Sequence, residues 1–95
     1  MNRYEIKCTF DSNSRKVFPN LNDTYRPHIV INGDSEYLGI QFESSSLNAF
    51  DVEGTAIIRT IYDGVNYDCL QPSVRFVIME GAKQVGKGEI VKTLD

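Results

Sequence analysis

The sequence lacks several features that mark particular classes of protein. No apolar run approaches the roughly 20 residues that a membrane-spanning helix needs. The first residues, Met1 to Glu5, contain no apolar signal core, so we expect a cytoplasmic location. The only cysteines are Cys8 and Cys69, and the only histidine is His28. Two distant cysteines and one histidine do not make a tetrahedral zinc site, so we expect no bound metal.

Cysteine and histidine, which carry much catalytic chemistry, are scarce, and no residue stands in a catalytic pattern. Without an export signal the cysteines are expected to be free thiols. Cys8 falls on the same alternate positions as the apolar residues Tyr4, Ile6 and Phe10, which indicates a small core residue. A general base needs a nucleophile or an orienting carboxylate beside it, and the sequence marks neither near His28. Asp63 and Asp68 flank a tyrosine-bearing loop, where solvated turn residues are far commoner than an acid–base pair. We therefore expect no enzymatic activity and no cofactor.

The length and charge of the chain limit its class further. Its 95 residues predict one domain over residues 1–95, too short for a catalytic βα barrel or a doubly wound nucleotide fold. Hydrophobic residues make up 41% and charged residues 24%, as in a globular domain. The net charge is −3 and the pI about 5.0, which argues against a general nucleic-acid binder. Between residues 32 and 68, Arg59 is the only basic side chain against Asp34, Glu36, Glu43, Asp51, Glu53, Asp63 and Asp68.

Hydrophobic residues recur with a period of two, which is typical of strands. Residues 4–10 alternate apolar and polar without a break. Asn32-Gly33 lies between two apolar runs and predicts a hairpin with a two-residue loop, in which both loop residues have positive φ. This loop pairs Ile29 with Glu36. A four-residue loop would place the same side chains on the core face of the hairpin, so the parity of the two strands does not depend on the loop. The residues that this parity places on the core face are Ile29, Ile31, Leu38, Ile40 and Phe42.

The rest of the chain continues the strand pattern, and no window carries a helical stripe. With residues 81–83 as a loop, Phe76 lies opposite Gly88. In the same register Ile78 lies opposite Gly86, so large side chains face glycines, as in a sharply curved barrel wall. About six short strands predict an all-β domain, either a small closed barrel or a sandwich, and the loss of exposed edges on closure favours the barrel. The further predicted segments are strands at 25–31, 34–42, 54–62, 74–79 and 84–94, with a polar connection at 43–48.

Residues 81–88 come close to the phosphate-binding pattern GxxxxGK followed by serine or threonine. In that pattern the loop leads into a helix whose N-terminus helps to hold the phosphates. Gly88 stands where the hydroxyl for Mg²⁺ is needed, and residues 89–94 continue as a strand. We therefore expect a hairpin turn here and no nucleotide binding.

Residues 74–91 resemble the C-terminal signature of bacterial elongation factor Tu. The matching residues are Arg75, Phe76, Ile78, Glu80, Gly81, Val85, Gly86 and Gly88. Tyr25-Arg26-Pro27 is similar to the tyrosine-arginine-proline that opens an earlier strand of the same domain, at a similar interval. The resemblance covers most of the chain and is to the third domain of the factor alone, because the GTPase domain has no counterpart here.

The resemblance implies a fold, namely a six-stranded antiparallel β-barrel. It also implies a mode of action, because the third domain of the factor packs on the other domains, contacts the T stem of aminoacyl-tRNA and offers surface to the exchange factor. In the family, an arginine-glutamate-glycine at the last hairpin turn approaches the tRNA backbone. Met79, Glu80 and Gly81 stand at these positions here, so methionine replaces the cation best suited to a phosphate contact.

These observations favour a non-enzymatic binding module that interacts with another, unidentified protein. The alternative is an RNA-binding module of the tRNA T-stem kind, and a third interpretation is a structural domain that oligomerises. Three tyrosines, Tyr25, Tyr62 and Tyr67, are interpreted either as interface anchors or as packing at the end of the barrel. The predicted binding surface consists of Glu80, Gly81 and Lys83 at the last hairpin turn, with Tyr62 and Tyr67 from the preceding loop.

Overall fold

A computed structural model describes residues 2–94 and contains six strands and, over that range, no helix. The strands pair antiparallel in one closed barrel, which confirms the predicted all-β fold. Nothing in this part of the chain forms a helix long and apolar enough to cross a membrane. The strands in chain order are β1 (Arg3–Phe10), β2 (His28–Ile31), β3 (Leu38–Ser45), β4 (Gly54–Thr60), β5 (Arg75–Glu80) and β6 (Lys83–Thr93).

The strand order around the barrel is β1-β4-β3-β2-β5-β6, and β6 pairs again with β1. Short connections join β2 to β3, β3 to β4 and β5 to β6, whereas two longer connections cross the ends of the barrel. Residues 11–27 lead from β1 to β2 across the first end, where β1 and β5 finish. Residues 61–74 lead from β4 to β5 across the second end, where β4 finishes. The two ends of the barrel therefore carry different surfaces.

The β5–β6 hairpin has the predicted register. Phe76 pairs with Gly88 and Ile78 with Gly86, and a register shift after Ile78 accommodates the tight turn. Phe76 and Ile78 are both buried. Large core side chains therefore lie beside glycines in the curved wall that β5 and β6 form.

At the same two glycines, β6 lies so close to β1 that no side chain fits between them. A Cβ atom on Gly86 would lie 2.5 Å from the carbonyl oxygen of Thr9, and a Cβ atom on Gly88 would lie 2.5 Å from that of Lys7. Both oxygens belong to the backbone of a continuously paired strand and cannot swing aside as the end of a side chain does. Close approach of β1 and β6 therefore requires glycine at both positions.

The β2–β3 hairpin differs from the prediction in its loop. Ile29 pairs with Leu38 and not with Glu36, so the prediction of a two-residue loop was wrong. Gly33 has a φ of 89°, but Asn32 is not among the residues with positive φ. Because the pairing moves by two residues, the parity is preserved, and Ile29 and Leu38 are both buried as predicted.

The side chain of Asp34 accounts for the longer connection. The backbone amide of Asp34 donates a hydrogen bond of 2.9 Å to the carbonyl oxygen of Ile31 and closes a turn. Its Oδ1 then accepts hydrogen bonds from the backbone amides of Ser35 at 2.7 Å and Glu36 at 3.4 Å. An aspartate that binds the following backbone amides offers them an alternative to strand pairing. The chain therefore rejoins the sheet only at β3.

The other strand boundaries also differ from the prediction: β4, β5 and β6 by one or two residues, and β2 and β3 by three residues at one end. β3 continues to Ser45, into the predicted polar connection, and Ser45 pairs with Ala56. β2 begins at His28 and not at Tyr25. The carbonyl oxygen of Tyr25 nevertheless accepts a hydrogen bond of 3.0 Å from the amide of Phe42 in β3. The segment before β2 therefore lies along β3, outside the regular ladder.

The barrel interior is filled by side chains that alternate along the strands. At the first end, the ring of Phe10 contacts those of Phe18, Tyr25 and Phe42, with centroids 5.5, 6.0 and 5.9 Å away. Offset and edge-on contacts of this kind stabilise aromatic clusters beyond their buried area. The buried core comprises Tyr4, Ile6, Cys8, Phe10, Leu21, Ile29, Leu38, Ile40, Phe42, Ala56, Ile58, Leu70, Phe76, Ile78, Val85 and Ile90.

Both cysteines are free thiols, as predicted. Cys8 lies in the core, where burial and, to a lesser extent, the charge of Glu53 raise its pKa to about 12. Cys69 is exposed in the β4–β5 connection, and desolvation raises its pKa too. The thiolate, which is the reactive form, is therefore disfavoured at both positions.

Candidate functional site

The predicted surface residues occupy two separate places. Gly81 lies in the turn between β5 and β6 at the first end of the barrel, and Glu80 and Lys83 pair on either side of it, so the loop is residues 81–82 and not the predicted 81–83. Tyr62 and Tyr67 lie in the β4–β5 connection and contact the outside of β3. Since β2 separates β3 from β5 in the sheet, the structure places these residues on two surfaces.

At the β5–β6 turn, the carboxylate of Glu80 is already bound by other side chains. Its Oε2 accepts hydrogen bonds from Arg15 Nε at 2.7 Å and from the hydroxyl of Tyr25. Burial raises the pKa of Glu80, but the hydrogen bonds from Tyr25 and Arg15 outweigh burial and hold this pKa below its usual value. Glu80 therefore joins residues 11–27 to the turn and does not offer a free carboxylate to a ligand.

The β1–β2 connection brings further cations to this turn. Arg15 and Lys16 lie with Lys83 around a depression of about 600 Å³ that Ser12, Asn13 and Ser14 also line. We call Arg15, Lys16 and Lys83 the basic cluster. The sequence analysis missed its first two members, because 65 residues separate Arg15 from Glu80 and only the fold brings them together.

On the outside of β3, two tyrosines converge on Gly39. A Cβ atom on Gly39 would lie 2.2 Å from Cε2 of Tyr62, so the tyrosine ring rests directly on the glycine backbone. The hydroxyl of Tyr67 donates a hydrogen bond of 2.6 Å to the carbonyl oxygen of Gly39. Tyr67 is half-buried and packs against the core, whereas the side chain of Tyr62 is 52% exposed. Tyr67 is therefore a packing residue, and Tyr62 is the one that faces solvent.

A third tyrosine, which the sequence analysis did not single out, extends this surface. The ring of Tyr37 lies edge-on to that of His28, with centroids 5.7 Å apart, and Tyr37 is 44% exposed. His28 pairs with Gly39 across β2 and β3. We call Tyr37, Tyr62 and Tyr67, with the His28–Gly39 pair that they contact, the tyrosine surface.

Beside the tyrosine surface lies a polar network built around Gln41. This side chain points away from the core and is nevertheless only 2% exposed, because the segment before β2 covers it. Its Nε2 donates to the carbonyl oxygen of Asp23 at 2.8 Å and to Oδ1 of Asp23 at 3.1 Å. Its Oε1 accepts a hydrogen bond of 2.9 Å from Nε of Arg26. The buried amide is therefore fully hydrogen-bonded, as a polar group in such a place must be.

A second arginine completes the network. Nη1 of Arg59 donates to Asp23 Oδ1 at 2.9 Å and to Glu43 Oε2 at 3.3 Å. Arg59 and Arg26 then line a pocket of about 230 Å³ next to Tyr62. We call it the arginine pocket; its lining residues are Arg26, Gln41, Arg59, Ile61 and Tyr62.

The other side of the tyrosine surface is acidic. Burial is the main reason that the pKa of the Cys69 thiol is raised, and the charges of Asp34, Glu36 and Asp68 raise this pKa further, so these carboxylates lie near enough to act on it. Within residues 2–94, no group of three or more histidine, cysteine, aspartate or glutamate side chains is arranged to hold a metal ion.

Comparison with known proteins gives no match to a family model and none to a curated protein.

Proposed function

We propose that this chain is a non-catalytic protein-binding module and that its partner binds the tyrosine surface. The observation that carries the proposal is the half-exposed ring of Tyr62, held in place over Gly39. Tyrosine is enriched among the residues that dominate binding energy at protein interfaces. A ring that is already fixed in the free protein loses little conformational entropy on binding.

The charges around the tyrosine surface support a protein as the partner. Asp34, Glu36 and Asp68 make one side acidic, and the arginine pocket lies on the other side. An apolar or aromatic centre with a charged rim of both signs is the usual anatomy of a protein interface. The acidic side would repel the phosphates of a nucleic acid.

The resemblance to the third domain of elongation factor Tu supports the same proposal, with the chain acting as a free-standing domain of that kind. In the factor this domain packs on the other protein domains and offers surface to an exchange factor, besides its contact with the T stem of aminoacyl-tRNA. A six-stranded antiparallel barrel, as found here, is the fold that the resemblance implies.

Two substitutions test the tyrosine surface from different sides. Tyr62→Ala removes the ring, and Gly39→Ala adds a methyl group that displaces it. Because the ring is exposed, its displacement should lower the stability of the fold only a little. We expect each to weaken the partner complex by about tenfold or more, as loss of a dominant contact does. Val52→Ala, which changes a 53% exposed residue in the β3–β4 connection at the first end, is the matched control and should leave the complex intact.

The measurement combines co-purification from native cells with a photo-crosslinking residue placed at position 62. A protein that crosslinks at this position and is lost in both variants supports the proposal. If the same proteins co-purify with wild type, Tyr62→Ala and Gly39→Ala in equal amounts, the tyrosine surface is not the binding site. If sedimentation shows an oligomer that Tyr62→Ala dissociates, the partner is a second copy of the chain.

The basic cluster favours one alternative function, RNA binding at the β5–β6 turn. Arg15, Lys16 and Lys83 lie together there, although Arg15 is paired with Glu80. Several cation–phosphate contacts are needed for nonspecific affinity, and each adds to its salt dependence. We therefore expect binding of tRNA at physiological salt to be weaker than about 10 µM.

Filter binding of tRNA over a range of salt concentrations measures this directly. Lys16→Ala and Lys83→Ala remove the two cations of the basic cluster that form no ion pair within residues 2–94. Lys7→Ala, on the exposed side of β1, is the control. Submicromolar affinity with a salt slope that the first two variants flatten and the control does not would make RNA binding the function of this chain.

A further inference from the structure

The tyrosine surface is bordered by carboxylates that have no cationic partner. The β2–β3 and β4–β5 connections both lie at the second end of the barrel, and neither contains a lysine or an arginine. Among residues 2–94, no aspartate or glutamate of these two connections forms an ion pair. All of these acidic side chains are exposed; they are Asp34, Glu36, Asp63 and Asp68.

The carboxylates come together from both connections and lie near the rings. Asp34 and Glu36 belong to one connection and Asp68 to the other, and all three act on the same thiol of Cys69. The two connections also carry the three tyrosines, and each of the four carboxylates stands within three residues of one of them in the sequence. Excess negative charge therefore adjoins the exposed aromatic rings.

The neighbouring arginine pocket does not supply the compensating positive charge. Arg26 and Arg59 share one network with Asp23 and Glu43, so two cations face two carboxylates there. Arg59 forms ion pairs of 2.9 Å with Asp23 and of 3.3 Å with Glu43. The charges of this network balance, and the acidic side of the tyrosine surface keeps its excess.

We propose that the tyrosine surface binds a basic segment of the partner protein and that an arginine side chain of this segment stacks on the ring of Tyr62. The proposal rests on the proposed function and names the chemistry of its partner. A guanidinium group can stack on the face of an aromatic ring while its donors form paired hydrogen bonds with carboxylates. The exposed ring of Tyr62 and the carboxylates beside it offer both kinds of contact.

The chain contains one contact of this kind at the first end of the barrel. There the guanidinium carbon of Arg15 lies 5.5 Å from the ring centroid of Tyr25. Nε of the same arginine donates a hydrogen bond of 2.7 Å to the carboxylate of Glu80. Ring, carboxylate and cation together make up this contact. At the tyrosine surface the chain supplies the ring and the carboxylates, and the partner would supply the cation.

The same charge disfavours the other classes of occupant. A nucleic acid or an anionic lipid surface would bring phosphates against carboxylates that have no cation between them. A second copy of the chain carries a net charge of −3, and its own tyrosine surface would repel this one. A basic protein segment complements the surface, and complementary charge raises the rate of association and the specificity of binding.

The probe is the peptide acetyl-Gly-Arg-Gly-Arg-Gly amide, titrated into the ¹⁵N-labelled full chain. We expect saturable shifts of the backbone amide signals of residues 36–39 and 62–68, with a dissociation constant on the order of 1 mM. The same peptide with citrulline, the neutral isostere of arginine, should cause no saturable shift. Raising the salt concentration from about 0.05 M to about 0.5 M should weaken binding several-fold, because salt screens exposed charges.

Matched substitutions separate the tyrosine surface from the net charge of the chain. Glu36→Gln removes a charge beside this surface, and Glu53→Gln removes the same charge in the β3–β4 connection at the first end. We expect Glu36→Gln to weaken peptide binding about threefold, as loss of an exposed ion pair does, and Glu53→Gln to leave it unchanged. Tyr62→Leu keeps an apolar side chain but removes the aromatic face, and it should also weaken binding about threefold. All three positions are exposed, so the variants are expected to fold.

Several results would overturn the proposal. Equal binding of the arginine and citrulline peptides would exclude charge as the basis of recognition, and so would equal effects of Glu36→Gln and Glu53→Gln. Unchanged binding by Tyr62→Leu would exclude stacking on the ring. Absence of saturable shifts up to about 20 mM arginine peptide would exclude the site itself. A salt-sensitive oligomer that Glu36→Gln dissociates would assign the surface to a second copy of the chain instead.

This test also separates the proposal from the proposed function. If the arginine peptide fails to bind while Tyr62→Ala still abolishes a protein complex, only the basic chemistry of the partner is wrong. If the peptide binds as expected but no protein crosslinks at position 62, the proposed function fails and the chemistry of the surface stands.

Discussion

Alanine in place of Gly88 is expected to lower the free energy of unfolding by about 3 kcal/mol or more, the upper part of the range for overpacked sites. Its Cβ would lie 2.5 Å from the carbonyl oxygen of Lys7 and 2.7 Å from Cζ of Phe76. Gly88 pairs with Cys8 on one side and with Phe76 on the other, so neither neighbouring strand can withdraw without losing ladder hydrogen bonds. A chain of this length has roughly 5–14 kcal/mol of stability in total.

Urea unfolding followed by circular dichroism measures this loss, and Gly64→Ala is the matched control. Gly64 has a φ of 80° but open space around its Cβ position, so alanine there meets backbone strain alone, about 1 kcal/mol. If Gly88→Ala proves no more destabilising than Gly64→Ala, the close contact of β6 with β1 is not what requires glycine. Should Gly88→Ala fail to fold, Gly86→Ala offers the second test, since its Cβ also meets a backbone oxygen at 2.5 Å.

Phe10→Ala is expected to lower the free energy of unfolding by about 3–5 kcal/mol, the range for removal of a buried aromatic side chain. Phe10 is fully buried at the first end of the barrel. Its ring touches those of Phe18 and Tyr25, which both come from the β1–β2 connection, and that of Phe42 in β3. The substitution therefore leaves a cavity and also loosens the contact between the β1–β2 connection and the barrel.

The same urea titration, with Phe50→Ala as the control, measures the effect. Phe50 is half-buried, and its ring contacts Phe18 at 5.3 Å on the outer side of the cluster. Its loss is expected to lower the free energy of unfolding by about 1–2 kcal/mol, because less apolar area leaves water there on folding. Equal losses for the two variants would mean that Phe10 is not the centre of the cluster.

The parts of the fold that depend on short-range pattern were predictable from the sequence. The pairing of Phe76 with Gly88 follows from a period of two and a tight turn, and both are encoded within 13 residues. The core face of the β2–β3 hairpin was also correct, because a shift by two residues preserves parity. The loop itself was predicted wrongly, since the hydrogen bonds of one aspartate side chain decide its length.

The candidate sites were less predictable, because they depend on contacts between distant parts of the chain. Gln41 follows a strand pattern that predicts an exposed polar residue, and only the crossing of the segment before β2 buries it. The ion pair between Arg15 and Glu80 joins residues 65 positions apart. Nothing in the sequence distinguished Tyr62 from Tyr67. In the structure the hydroxyl of Tyr67 contacts Gly39 and makes Tyr67 a packing residue, whereas the ring of Tyr62 is exposed.

Closure of the sheet bears on aggregation. Every strand of the barrel has a neighbour on both sides, so residues 2–94 offer no unpaired strand to a partner or to another copy of the chain. The shortest ladder is the one between β2 and β3, where regular pairing is limited to His28 with Gly39 and Ile29 with Leu38. Separation of β2 from β3 would leave both strands with a free edge, next to the tyrosine surface. A ligand that bridges β2 and β3 there would keep the two strands paired and would therefore also suppress fibril formation and strand exchange.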